Sequence, residues 1–154
     1  MQQRFAAGLL AGLVLCSSAL ADGAIRVVNA WTRATVPGQK VAGAYFEIST
    51  PMDGKLVGAS SVVARAGEIH TMKLDNGVMR MRRIAALDLP AGKPVKLEPG
   101  GVHVMLLDLE RRLKPGEKVP LTLVVELPNN VRREVTVDMA VLNTAGEGGG
   151  HEKH

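Results

Sequence analysis

The sequence predicts an all-β protein, a single Greek-key sandwich or barrel. Short runs rich in Val, Ile, Leu and Thr recur along the chain. Clusters of Pro, Gly and Asn separate these runs at intervals of roughly 8 to 12 residues, a spacing typical of sandwiches and barrels. No segment carries the apolar period of a helix. The candidate functional residues should therefore lie on strands and beside hairpin turns.

The strand-like runs begin at Ile25, and turn sequences such as V-P-G-Q-K, P-M-D-G, P-G-G and P-N-N separate them. They cover residues 25–34, 41–50, 68–74, 78–84, 102–109, 119–127 and 131–141. In the run at 119–127, Leu121, Leu123 and Val125 alternate with more polar neighbours, which predicts one inward-facing side. Met139 is interpreted as core filler, the commoner role of methionine.

Two single aromatic residues, Trp31 and Tyr45, lie on the first two predicted strands. A ring on such a strand could shield a functional site, but buried aromatics with one polar atom are far commoner. We therefore expect both rings to belong to the core.

Residues 1–21 have the pattern of a secretory signal peptide: an early positive charge at Arg4, an apolar run, and a small-x-small ending. Cleavage is expected before Asp22. The apolar run of about a dozen residues is shorter than the ~20 that a membrane span needs. Cys16 raises a lipoprotein alternative, although Leu15 stands where such sites usually carry a small residue.

The predicted mature chain is a single domain over residues 22–143, followed by a flexible tail rich in Gly and His over residues 144–154. Loss of Arg4 lowers the formal net charge from +4 to +3, and loss of the single cysteine leaves no thiol for an oxidising compartment. Aromatic residues make up 3% of the chain, which argues against a stacking platform for nucleic acid. No span is expected in the mature chain.

The window from His70 to Met105 concentrates soft metal donors. It holds four of the seven methionines and two of the four histidines. Thioether sulfur is a neutral, soft donor that zinc, magnesium and calcium largely ignore, whereas Cu(I) accepts sulfur and imidazole nitrogen together. The cluster therefore predicts a Cu(I) site.

Ten residues separate His70 from Met81, 21 separate Met81 from His103, and one separates His103 from Met105. This spacing, with the flanking phrases G-V-M-R-M and P-G-G-V-H-V-M-L, resembles the signature of the PCuAC periplasmic copper chaperones over roughly residues 25–142. The resemblance implies a cupredoxin-like sandwich, and it implies that these four residues bind Cu(I). It also implies copper delivery in cytochrome c oxidase assembly, to a Sco-type thiol protein or to oxidase subunit II.

The sequence around Asn76-Gly77 predicts a β-hairpin, because Asn-Gly between alternating runs is a strong hairpin signal. A loop of even length would place His70 and Met81 on the same sheet face. A three-residue loop would shift the register by one and send these two residues to opposite faces. The cross-strand pairs expected for an even loop are Leu74 with Met79, Met72 with Met81, and His70 with Arg83.

Met72 and Met79 then share the face of the proposed ligands and could bind metal themselves, although packing is the commoner role of methionine. His151 and His154 in the tail could bind Cu(II), which favours imidazole nitrogen.

Other classes of protein fit less well. A blue-copper centre requires a cysteine thiolate, and the expected mature chain has none. An enzyme is not expected, because four protein donors nearly saturate Cu(I) and leave no open position for a substrate. A secreted interaction module without metal and a copper-storage or resistance protein remain alternatives.

Overall fold

The computed structural model describes residues 24–143, and ten strands account for most of them. The strands are β1 (Arg26–Arg33), β2 (Val41–Ser49), β3 (Gly54–Ser60), β4 (Ala64–Asp75), β5 (Val78–Ile84), β6 (Leu87–Leu89), β7 (Val95–Leu97), β8 (His103–Leu109), β9 (Lys118–Leu127) and β10 (Val131–Leu142). Within this described range the only helical element is a single 3₁₀ turn, Pro128–Asn130. The expected all-β architecture is confirmed.

Three strands, β3, β6 and β7, lie outside the runs that the sequence pattern predicted. Strand β3 reads G-K-L-V-G-A-S, and its small residues hide the alternation that marks a strand. Strands β6 and β7 have three residues each, too few to establish any period.

Hydrogen bonding links the strands in the order β5-β4-β8-β2-β1-β10-β9-β3-β6, with β7 beside β2. The one parallel pair, β1 with β10, joins the two halves of this ladder, and the other pairs are antiparallel. The ladder folds over itself, so one half packs against the other around a common apolar core.

A close approach between β4 and β3 closes the sandwich. A Cβ atom at Gly67 of β4 would collide with the backbone carbonyl of Ala59 in β3. Only glycine lets the two backbones come this near. Because Gly67 and the buried Ile69 point inward, Glu68 and His70 must point outward.

The core contains the residues that alternation predicted. Leu121, Leu123 and Val125 of β9 are fully buried, as is Met139 of β10. In β8, Val104 and Leu106 are also fully buried, so the intervening residues face out of the sandwich.

The β4–β5 hairpin has the even loop that the copper hypothesis required. Asn76 and Gly77 form a two-residue turn with φ of 49° and 79°, the left-handed pair of a type I′ turn. The observed pairs are Leu74 with Met79, Met72 with Met81, and His70 with Arg83. The predicted register is therefore confirmed.

Among residues 24–143 there is no helix of the length and apolar character needed to cross a membrane.

Candidate metal centre

Three adjacent strands bring the four predicted ligands to one outward face. Strand β4 lies between β5 and β8. His70 of β4 is paired directly with His103 of β8, and the centroids of the two imidazole rings are 6.0 Å apart. Met105 follows two residues after His103 on the same face, and Met81 of β5 is the diagonal neighbour of His70. Residues distant in sequence thus share one small area of the sheet.

His103 is the most buried member of the group, with 4% of its surface exposed. Its Nδ1 lies 3.0 Å from the carbonyl oxygen of Gly101. A carbonyl oxygen only accepts, so Nδ1 donates, and the neutral ring then has its lone pair on Nε2. This contact leaves His103 with one nitrogen that can bind a metal ion.

His70 is oriented in the opposite sense. Its Nε2 donates to Oε2 of Glu68 over 2.8 Å, which places the ring proton on Nε2 and the lone pair on Nδ1. Within the described chain, Nδ1 of His70 is the sole buried side-chain nitrogen or oxygen without a hydrogen-bond partner. Leaving such an atom unpaired costs about 1–3 kcal/mol. A metal ion at Nδ1 would satisfy it, so the donor set fits a cation.

Glu68 is a functional candidate that the sequence reasoning missed. Besides accepting from His70, its other carboxylate oxygen lies 3.4 Å from Nη1 of Arg83. The side chain of Glu68 is 24% exposed and that of Arg83 is 70% exposed, so the arginine forms an ion pair with the carboxylate from its solvent-exposed side. Histidine ligands commonly donate their second N–H to a carboxylate, which fixes the ring and increases its basicity. The signal in the sequence was the position of Glu68 two residues before His70.

The expectation that Trp31 and Tyr45 belong to the core is wrong. Both are only half-buried and lie on the outward face, with ring centroids 4.5 Å apart. The Tyr45 ring is also 6.2 Å from the ring of His103. A Cβ atom at Gly43 would collide with the Tyr45 hydroxyl, so this glycine lets the ring lie back over β2. The Tyr45 ring therefore lies beside His103 on the outward face, while the inward positions of β2 are occupied by smaller and aliphatic residues and by Phe46.

The sulfur donors are less buried than the imidazoles. Met105 is half-buried, whereas 46% of Met81 is exposed. Met72 and Met79 lie on the same face, further along the hairpin. No cluster of three or more His, Cys, Asp and Glu residues capable of holding a metal occurs between residues 24 and 143. A four-donor site here needs methionine sulfur, which is the chemistry of Cu(I) rather than of zinc or calcium.

His151 and His154 lie outside the described residues, as do Cys16 and the rest of residues 1–21, for which a signal peptide was predicted.

Comparison with known proteins identifies relatives for nearly the whole β domain. The family model for putative LpqE-like lipoproteins matches residues 25–141. The putative lipoprotein Lxx21020 of Leifsonia xyli subsp. xyli (strain CTCB07) is 32% identical over an alignment of 130 residues, and the match covers 76% of this chain and 76% of that one.

Solved structures with the same fold include two copper-loaded proteins. The copper-bound PCuAC domain from PmoF2 is 29% identical, with a TM-score of 0.62, and the match covers 77% of this chain and 92% of that domain. The solution structure of CuI-DR1885 from Deinococcus radiodurans is 27% identical, with a TM-score of 0.61, over 84% of this chain and 87% of that one.

Proposed function

This chain belongs to the family of putative LpqE-like lipoproteins, and from its likeness to copper-loaded PCuAC structures we propose that it is an exported copper chaperone. The resemblance to PCuAC proteins that the spacing indicated is confirmed by the structural neighbours, and so is the cupredoxin-like sandwich. We propose that one Cu(I) ion is the cargo. Its ligands are His70, Met81, His103 and Met105.

The observation that carries this proposal is the orphaned Nδ1 of His70, on a ring whose centroid is 6.0 Å from that of the buried His103. Each ring has its N–H engaged, by Glu68 or by the Gly101 carbonyl, and keeps one lone pair free. Two thioethers on the same face complete a neutral N₂S₂ donor set. Cu(I) bound there keeps its single charge and needs no deprotonated sulfur.

A neutral donor set also suits transfer. Thiolates are stronger donors for Cu(I) than thioethers, so an acceptor with thiolates can withdraw the ion by ligand exchange. We propose a Sco-type thiol protein or cytochrome c oxidase subunit II as acceptor, following the family resemblance. We propose a carrier rather than an enzyme, because four protein donors leave Cu(I) little room for a substrate. The tail residues His151 and His154 would provide a separate position for Cu(II).

We place the protein outside the cytoplasm, in the periplasm, after cleavage of residues 1–21. Its relatives carry the name of lipoproteins, which are exported, and Cys16 is the residue that could hold a lipid. Intact mass of the mature protein distinguishes the two routes, since an unmodified N-terminus at Asp22 supports cleavage without lipidation. A lipid found on Cys16 would show that the protein is an anchored lipoprotein rather than a chain cleaved before Asp22, and the protein would still be exported.

Native mass spectrometry of the anaerobic protein with Cu(I) tests the copper site. The wild type should retain one copper per chain, and the double variant Met81→Leu, Met105→Leu should lose it, since leucine keeps the volume but removes the sulfur. Met52→Leu is a matched control, because Met52 and Met81 are both 46% exposed. A wild type that holds no copper would instead identify an interaction module without metal.

A further inference from the structure

The β4–β5 hairpin extends beyond the rest of its layer. Strand β8 pairs with β4 as far as His70, opposite His103, whereas β4 and β5 continue to pair as far as Asp75 and Val78. The outer part of the hairpin, residues 71–82, is therefore a two-stranded ribbon without a further strand beside it.

The two faces of this ribbon differ in chemistry. The face away from the metal centre carries charged residues, and Asp75 pairs there with Arg80 at 3.4 Å and with Arg82 at 3.9 Å. The face that continues the metal centre is apolar and rich in sulfur, and its members are Met72, Leu74, Met79 and Met81. A ribbon in water gains little from exposed thioethers as packing groups, since half of Met79 is in contact with solvent.

The register places three of these sulfur atoms within reach of a single ion. Met72 lies directly opposite Met81, and Met79 is the diagonal neighbour of Met72. Cβ atoms of directly opposed residues are about 4.5–5.5 Å apart and diagonal neighbours are about 7–8 Å apart. Methionine has three rotatable side-chain bonds, so three thioethers at these separations can converge.

Exposure rises in steps from the inner histidines to the outer methionines. His103 is 4% exposed and the side chain of His70 is 15% exposed, whereas Met81 reaches 46% and Met79 reaches 50%. An acceptor protein can approach the outer sulfur atoms, whereas His103 is buried with the Tyr45 ring 6.2 Å away. Met81 adjoins both the inner histidines and the outer methionines, since it is the diagonal neighbour of His70 and lies opposite Met72.

We infer that Met72, Met79 and Met81 form a second, all-thioether position for Cu(I), through which the ion leaves and enters the inner centre. This inference rests on the proposed copper function. In the step between positions the ion keeps its bond to Met81, the bonds to both histidines and Met105 break, and bonds to Met72 and Met79 form. Every ligand is neutral, so no proton or electron moves and copper remains Cu(I).

Methionine methyl groups report this position directly. Full-length protein labelled with ¹³C at the methionine methyl carbons is titrated anaerobically with Cu(I), and Ag(I) serves as a redox-stable probe. The first equivalent should shift the signals of Met81 and Met105. The second should shift Met72 and Met79 and shift Met81 again, because Met81 then turns to the outer ion and leaves the inner ion to both histidines and Met105. Met52 and Met139 lie outside both groups, one exposed and one buried, and their signals should stay in place.

The double variant Met72→Leu, Met79→Leu supplies a second readout, because it retains the apolar face and removes two sulfur atoms. Release of Cu(I) to a bathocuproine chelator should slow at least fivefold relative to wild type, while the first equivalent still shifts Met81 and Met105. The control Met52→Leu should release copper at the wild-type rate.

The outcomes separate the two proposals. Unmoved Met72 and Met79 signals through two equivalents, or a release rate within twofold of wild type in the double variant, would overturn the outer position and leave the inner centre standing. Unmoved Met81 and Met105 signals at the first equivalent would overturn the proposed function itself.

Discussion

Removal of the Glu68 carboxylate should weaken Cu(I) binding without removing any ligand. The carboxylate accepts the Nε2–H of His70 over 2.8 Å and is itself held by Arg83 at 3.4 Å. In Glu68→Ala the imidazole loses the group that fixes its orientation and its proton. The ring can then rotate, or carry its proton on the nitrogen that should face the ion.

The size of the effect follows from the contact that is lost. A hydrogen bond to a charged group contributes about 1.5–3 kcal/mol, which corresponds to roughly 10- to 100-fold in affinity. Loss of a carboxylate behind a histidine ligand typically costs the same 10- to 100-fold. Glu68→Gln should lie between wild type and Glu68→Ala, because its amide oxygen can still accept from His70 but carries no charge.

Competition with a Cu(I) chelator at pH 7 measures the change in affinity. Glu126→Ala is the matched control, since Glu126 is a carboxylate of similar exposure that pairs with Arg132 at 3.2 Å on the β9–β10 half of the ladder. It should bind copper as the wild type does. Affinity of Glu68→Ala within twofold of wild type would refute the positioning role of Glu68.

Three further outcomes are expected. An imidazole must be neutral to bind metal and ordinarily gains its proton near pH ~6.5, so Cu(I) affinity should fall between pH 7 and 5; a flat chelator competition would exclude histidine ligation. Gly77→Ala should lower the free energy of unfolding by about 1 kcal/mol in urea titration, because Gly77 has φ of 79°, and Gly101→Ala, which needs no left-handed backbone, should cost less. The Arg111 guanidinium holds the pKa of Glu117 below its ordinary value. This pair therefore stabilises the folded state at a pH above the ordinary pKa, and the stabilisation is lost as the pH falls through the lowered pKa. The free energy of unfolding of Glu117→Gln, measured by urea titration, should therefore fall less with acid than that of the wild type.

Much of the centre could be predicted from local sequence because strands have a period of two. The Asn-Gly turn set the register of the hairpin, and that register put His70 and Met81 on one face. The same alternation put His103 and Met105 on one face of β8. These relations depend only on backbone geometry within one or two neighbouring strands.

The pairing of the two histidines was beyond such reasoning, because β4 and β8 are separated by three other strands in the chain. Tertiary packing alone decided that His70 lies opposite His103. Glu68 and Arg83 reach the imidazole through local geometry, one two residues away on the same strand and the other across the hairpin. Tertiary packing also decided that Trp31 and Tyr45 lie outside the core, since either face of a strand can be the buried one until the layers are assembled. By itself the sequence determined the donors available to the proposed site, two soft sulfur atoms and two imidazoles, because donor identity is a property of side chains and does not depend on how the strands pack.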